Sequence, residues 1–243
     1  MKFHRVIWIV LLFVLDCVLF VGLRIQQGEE IVTTSGGGMS VSDVFVKEPA
    51  ISGNTTFKGK IALTFDDGPN HKYTPLLLEG LKERNVRATF FLLGHRAVEN
   101  PELVKQIAED GHLIGNHSFY HDDLSKLSSE EAVNQVNRTN DVIYELTGKY
   151  PKLLRPPFGC KNSEIVYDPP MREVLWTIDS RDWALSDVGE IMQNVLPEAK
   201  ENAIILMHDA STSSVQAALA IVDSLQQEGY SFVTLDEILY DRH

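Results

Sequence analysis

The sequence predicts an α/β fold, a distorted barrel of parallel strands of the (β/α)7 type, preceded by an N-terminal membrane segment and a flexible linker. Three observations carry this. From about residue 57 onward, short apolar β-prone runs alternate with longer amphipathic stretches, the pattern of a parallel sheet covered by helices. Gly111, Gly148 and Gly229 each stand just after a helix-like stretch, where a left-handed residue ends a helix. The unusual polar residues fall just past the apolar runs, at the strand ends where alternating barrels build their sites.

In chain order, Lys2, His4 and Arg5 precede an apolar run over residues 6–23, interrupted by Asp16 and Gly22. Its 18 residues suffice for a membrane span and are long for a signal-peptide core. No small-x-small cleavage site follows, so residues 1–25 read as an uncleaved signal-anchor, basic end inside and the bulk of the chain outside. A cleaved signal peptide with secretion is the runner-up. Residues 26–56 are rich in Gly, Ser and Thr, a composition that buries little and reads as a tether. Residues 57–243 form the remaining domain. Strands are expected at 60–65, 88–93, 112–115, 152–154, 174–178, 203–207 and 232–234. Helices are expected at 74–84, 101–110, 129–147, 188–200 and 213–228. Ser128 and Glu131 make a capping box for the longest of them. Pro169 and Pro170 end any helix in the stretch 162–171 early.

Bulk composition excludes some functions. The chain carries 22 Lys and Arg against 34 Asp and Glu, a net charge of -12. That disfavours a nucleic-acid partner, which needs a basic face. Cys17 and Cys160 are the only cysteines, so a disulfide framework is not expected and a thiolate metal cluster is excluded. Nothing in the sequence points to an obligate protein partner.

The chemistry-bearing residues sit at strand ends. Thr64-Phe65-Asp66-Asp67-Gly68-Pro69 closes the first run with two carboxylates at a glycine turn. Such a pair is costly unless metal, hydrogen bonds or water satisfy it. In a regular strand the two would point to opposite faces, but Gly68 and Pro69 break the regularity. Alone, Asp-Gly is equally a hairpin signal. His117-Ser118-Phe119-Tyr120-His121 spaces two imidazoles four residues apart, close enough to meet one ion. With Asp67 the set becomes His, His and Asp, the pattern of a catalytic zinc site with an open position. Cobalt, nickel or manganese can occupy such donors too. Arg155-Pro156-Pro157-Phe158-Gly159 puts a guanidinium suited to bidentate carboxylate pairing beside a segment whose first backbone donor is Phe158, because proline has no N–H. His208, directly beyond a strand and followed by Asp209, is an acid–base candidate. His95 and His112 read as structural, and His71 as a candidate substrate contact.

Together TFDDGP, HSFYH, RPPFG, DSRDW and LMHD, in this order over roughly residues 57–240, resemble the polysaccharide deacetylase family (carbohydrate esterase family 4). The resemblance implies metal-dependent hydrolysis of acetyl groups on glycans. It implies that Asp67, His117 and His121 hold a divalent metal, that Asp66 is the base toward water, and that Arg155 tunes Asp66. It also implies that Phe158 N–H stabilises the oxyanion. His208 would be the acid for the departing amine, with Asp182 supporting its charged form, and Trp183 and Leu206 would wall the acetyl slot. The expected substrate is an N-acetylated cell-envelope glycan: peptidoglycan N-acetylglucosamine or N-acetylmuramic acid first, chitin oligosaccharide or exopolysaccharide as alternatives. A non-catalytic glycan-binding module on the same fold is the rival of another class. The short stretch before DSRDW departs from the family pattern and bears on one groove wall.

Overall fold

A computed structural model describes residues 56–160 and 165–240. The expected membrane segment, and all but the last residue of the linker, lie outside the described residues, as do residues 162–164 of the proline-containing stretch. Among the described residues no helix is long and apolar enough to cross a membrane.

The elements in order are β1 (Gly59–Gly68), α1 (Thr74–Glu83), β2 (Thr89–Leu92), α2 (Gly94–Glu99), α3 (Pro101–Glu109), β3 (Leu113–Asn116), α4 (Ser129–Thr147), β4 (Leu153–Leu154), β5 (Arg172–Glu173), β6 (Ile178–Asp179), α5 (Val188–Val195), β7 (Ile204–His208), α6 (Thr212–Gln227), β8 (Tyr230–Val233) and α7 (Leu235–Tyr240). Short 3-10 turns follow β3, β4 and α5. Every strand pairing is parallel, and the sheet runs β5-β4-β3-β2-β1-β7-β6 with β8 added to the start of β1. The expected barrel is therefore a half-barrel, with β5 and β6 as its two ends. The expected strand over 174–178 is a correction: the chain forms two separate two-residue pairings there, β5 and β6, on opposite edges. No helix occupies the described residues 165–171, as the two prolines require.

β1 is central and buried on both faces. Ile61, Leu63 and Phe65 enter the cluster that contains Leu77, Leu78 and Leu81 of α1 and Ile221, Val222 and Leu225 of α6. Ala62 enters the other, with Phe91, Leu153, Ile204, Val233 and Leu235. This is why the strand reads as a continuous apolar run rather than an alternating one. α4 begins and ends where its signals stand. Ser128 and Glu131 complete the capping box, and Gly148 caps the other end in the left-handed conformation at φ 72°.

Register delivers the motifs to one place. Asp66 pairs with His208, Leu92 with Asn116, Asn116 with Leu154 and Asp179 with Leu206. These pairs bring the carboxyl ends of the strands level, so the residues just beyond them meet at one rim.

Candidate active site

That rim is a pocket of about 410 Å³, lined by Asp66, Asp67, His117, His121, Phe158, Trp183, Leu206 and His208 of the predicted set. Arg155 and Asp182 stand behind the lining, both essentially buried.

The two aspartates share the pocket because of a bulge. In the β1–β2 pairing the register shifts between Asp66 and Gly68, leaving Asp67 unpaired at φ 68°. A bulge re-aims a side chain that a regular strand would send to the other face. Among the described residues, seven non-glycine positions have positive φ. Asn85 and Asn202 tolerate it as asparagines; the other five, Asp67, Ser118, His121, Phe158 and Arg181, all lie in the site motifs. Such conformations persist where the surroundings enforce them.

Asp67, His117 and His121 offer three ligand atoms that all lie within 4.8 Å of one another. Asp67 Oδ1 is 3.4 Å from His117 Nε2 and 3.3 Å from His121 Nε2, too long for an ordinary N–H···O bond. Donors held about 2.0–2.2 Å from one tetrahedral ion would stand roughly 3.3–3.6 Å apart. His117 Nδ1 meets the Arg155 carbonyl at 2.6 Å. A carbonyl only accepts, so Nδ1 carries a proton, and in the neutral ring Nε2 presents a lone pair toward Asp67. Asp67 Oδ1 is itself buried without a hydrogen-bond partner. With the ring neutral, two acceptors face each other there, and the donor set fits a divalent cation. Burial pushes the Asp67 carboxyl up, but without a metal the protonated forms of His117, in contact with it, and of His121 and His208 outweigh burial and hold the group at about 2. Burial also holds the His121 imidazole below its usual value, against the pull of Asp67.

Asp66 has a different environment. Arg155 Nη1 donates to its Oδ1 at 2.8 Å and to Thr64 Oγ1 at 2.8 Å. The expected bidentate geometry is corrected here: Nε and Nη2 reach the carbonyls of Val174 and Leu175 at 3.3 and 3.2 Å. The guanidinium also lies 4.1 Å over the Phe91 ring. Its donors are spent on four separate acceptors, which fixes Asp66 between Arg155 and His117 Nε2, the latter 3.8 Å from Oδ2.

On the other side, His208 Nδ1 meets Asp182 Oδ1 at 2.8 Å and its backbone N–H donates to Oδ2 at 2.9 Å. Ser180 Oγ completes the shell of Asp182 at 3.1 Å. Burial works against a charged His208, yet Asp182, then Asp66 and Asp67, outweigh it and raise the imidazole to about 9. Phe158 stacks edge-on against His121 at 4.7 Å. The N–H groups of Gly159 and Cys160 are used by Pro156 and Pro157, whereas no described acceptor takes that of Phe158.

Sequence reasoning missed the supports. Asn116, wholly buried, donates to Val136 O and Asn140 Oδ1 and accepts from Ser118 N–H at 2.7 Å. Ser118 Oγ then accepts from His121 N–H at 3.1 Å and pins the loop. Trp176 and Asp179 line the pocket without having been singled out as contacts; an aromatic beside a carboxylate at a motif edge was the available signal. His95 and His112 are structural: His95 Nδ1 meets Phe119 O at 2.7 Å, and His112 Nδ1 accepts from Ala88 N–H at 3.0 Å. His71 is exposed and does not line the pocket.

Known proteins resemble this chain in sequence and fold. A family model described as polysaccharide deacetylase matches residues 53–169. A peptidoglycan-N-acetylglucosamine deacetylase of Listeria monocytogenes is 39% identical over 193 residues, 79% of this chain and 41% of the relative. The match thus spans less than half of that relative. A peptidoglycan-N-acetylglucosamine deacetylase of Bacillus cereus is 40% identical over 191 residues, 75% of this chain and 89% of the relative. The solved structure of the peptidoglycan deacetylase PdaC from Bacillus subtilis superposes with a TM-score of 0.72 at 39% identity, covering 76% of this chain and 93% of that one.

Proposed function

The chain belongs to the polysaccharide deacetylase family, and on that premise we propose that it hydrolyses N-acetyl groups from a cell-wall glycan. The substrate class is peptidoglycan N-acetylglucosamine or N-acetylmuramic acid. The observation that carries this reading is the three-donor cluster of Asp67, His117 and His121 flanked by two ion pairs, Asp66 with Arg155 and His208 with Asp182. Relatives named for peptidoglycan deacetylation support the substrate class.

Asp67, His117 and His121 would hold a divalent metal, zinc by the chemistry of the donors, with cobalt, nickel or manganese as substitutes. Bound there, the ion would polarise the acetyl carbonyl and acidify water. Asp66, clamped by Arg155, takes the proton from the attacking water. The new C–O bond pushes charge onto the carbonyl oxygen, toward which Phe158 N–H is free to donate. His208 delivers its proton to the amine as the C–N bond breaks, and acetate leaves. Separate groups serve as base and acid, so neither has to change role within the step. Trp183 and Leu206 border the slot for the acetyl methyl.

The apolar run over residues 6–23 supports a further reading, that the chain is held in the membrane with this domain outside, where the wall polymer lies. Fractionation with protease accessibility checks it; a soluble, protease-protected chain would overturn it.

The functional test is acetate release by the full chain from peptidoglycan and from chitooligosaccharides, with and without chelator, beside Asp66→Asn. Chelator-sensitive release from peptidoglycan, abolished in Asp66→Asn, is expected. Release only from chitooligosaccharides would overturn the substrate class, and none from either would overturn the activity.

A further inference from the structure

We infer that Arg96 and Asp209 are positioning residues that hold the Asp67 carboxylate where a metal can use it. The inference rests on the metal-site reading above. Neither residue lines the pocket.

Asp67 stands on the bulge with positive φ, so its backbone needs external restraint. Two charged side chains from different elements supply it on successive residues. Arg96, on α2, donates from Nη1 to the Asp67 carbonyl at 2.7 Å. Asp209, wholly buried beyond the end of β7, presses its carboxylate against Gly68. A Cβ on Gly68 would stand 2.9 Å from Oδ2 and 3.1 Å from Oδ1, so this position admits only glycine without displacement. Thr74 Oγ1 donates to Asp209 Oδ2 and accepts from Asn70 N–H at 2.7 Å. Leu93 N–H adds a bond to Gly68 O at 2.9 Å. The segment from Asp67 to Asn70 is thereby tied to α1, α2 and β7.

Asp209 Oδ1 has no hydrogen-bond partner. A buried, half-satisfied carboxylate is costly, and a turn alone needs only a neutral acceptor. The Arg96 charge favours the ionised Asp209 carboxylate, against the larger effect of its burial. Asp209 also follows His208, the residue paired with Asp66. One side chain therefore links the strand bearing the acid to the turn bearing the metal ligand.

The test is affinity of the full chain for zinc and for cobalt by competition with a chromophoric chelator, with the visible band of the cobalt form and urea unfolding of the metal-free form. Wild type and His121→Ala come first. If wild type binds neither ion, or His121→Ala binds as well, the metal-site reading fails and this inference with it. If that pair behaves, Arg96→Gln and Asp209→Asn are each expected to bind roughly 10–100-fold more weakly, the scale of outer partners of metal ligands. The cobalt band should shift in both. Thr74→Ser, which keeps the hydroxyl, should retain wild-type affinity. Wild-type affinity in both charge variants, with only a lowered unfolding midpoint, would make Arg96 and Asp209 plain struts and overturn the inference. Arg96 is half-buried, so Arg96→Gln decides the matter alone if Asp209→Asn does not fold.

Discussion

Replacing Asp182 with asparagine should remove the proton that His208 keeps at neutral pH. In the metal-free protein the imidazole is raised from 6.5 to about 9. Burial opposes this, since only 14% of the side chain is exposed. Asp182, itself wholly buried, supplies the largest opposing pull through its 2.8 Å contact with Nδ1. A gap of about 2.5 in pKa corresponds to roughly 3 kcal/mol between the two protonation states. The folded-state value lies above the unfolded one, so the protonated imidazole stabilises the fold fully below pH 6.5. That contribution is lost as pH rises through about 9.

The assay is urea unfolding of metal-free wild type and Asp182→Asn from pH 6 to 9.5, with NMR titration of the His208 ring. The wild type should lose roughly 3 kcal/mol more than the variant across that interval. In the variant, burial is opposed only by the more distant Asp66 and Asp67, so the ring should titrate well below 9. Adding a divalent cation to the wild type should lower the value, because a positive charge disfavours the imidazolium. A wild-type ring titrating at or below 6.5, or equal pH slopes in both proteins, would refute the reasoning.

Arg155→Met leaves Asp66 as a buried carboxylate without its cation and abandons two carbonyls. Urea denaturation should show a loss of about 3–5 kcal/mol, and a loss under about 1 kcal/mol would contradict the assigned role. Asn116→Ala removes the anchor of the His117–His121 loop, and a cost of about 1–3 kcal/mol is expected from its orphaned partners. Hydrogen exchange at Ser118 N–H should accelerate; unchanged protection would count against the anchor. Ser128→Ala removes the capping box of α4 at about 1 kcal/mol and should leave metal affinity unchanged, because the cap is exposed.

Legibility followed the range of each interaction. α4 spans Ser129–Thr147 as expected, because its start and stop signals are local: a cap, its reciprocal glutamate and a glycine. The central strands were readable because apolar runs survive any arrangement of neighbours. The sheet's closure was not, since whether β5 and β6 meet depends on residues far apart in the chain. The short helices α2 and α7, six residues each, present less than two turns of periodicity and escaped notice. The ten lining and supporting residues expected from motifs all converge on the pocket or directly behind it. Asn116, Thr64 and Ser180 were invisible because each acts through a contact, and a buried asparagine in an apolar run carries no signal of what it anchors.

The bulge at Asp67 follows from a comparison of costs. Ile61, Leu63 and Phe65 face the helix layer, whereas Thr64 and Asp66 face Arg155. Continued regularly, β1 would send Asp67 the way of Phe65, into the cluster of α1 and α6 leucines and isoleucines. An ionised carboxylate without a partner there would cost well above the several kcal/mol of an unsatisfied polar group. A left-handed backbone at one non-glycine residue costs roughly 1–2 kcal/mol. The strained conformation is the cheaper solution, and it becomes cheaper still once Arg96 holds the Asp67 carbonyl. The same turn then gives two neighbouring aspartates unlike partners: a guanidinium for Asp66, two imidazoles for Asp67. Two chemically identical side chains acquire different roles because one residue of backbone is left out of the ladder.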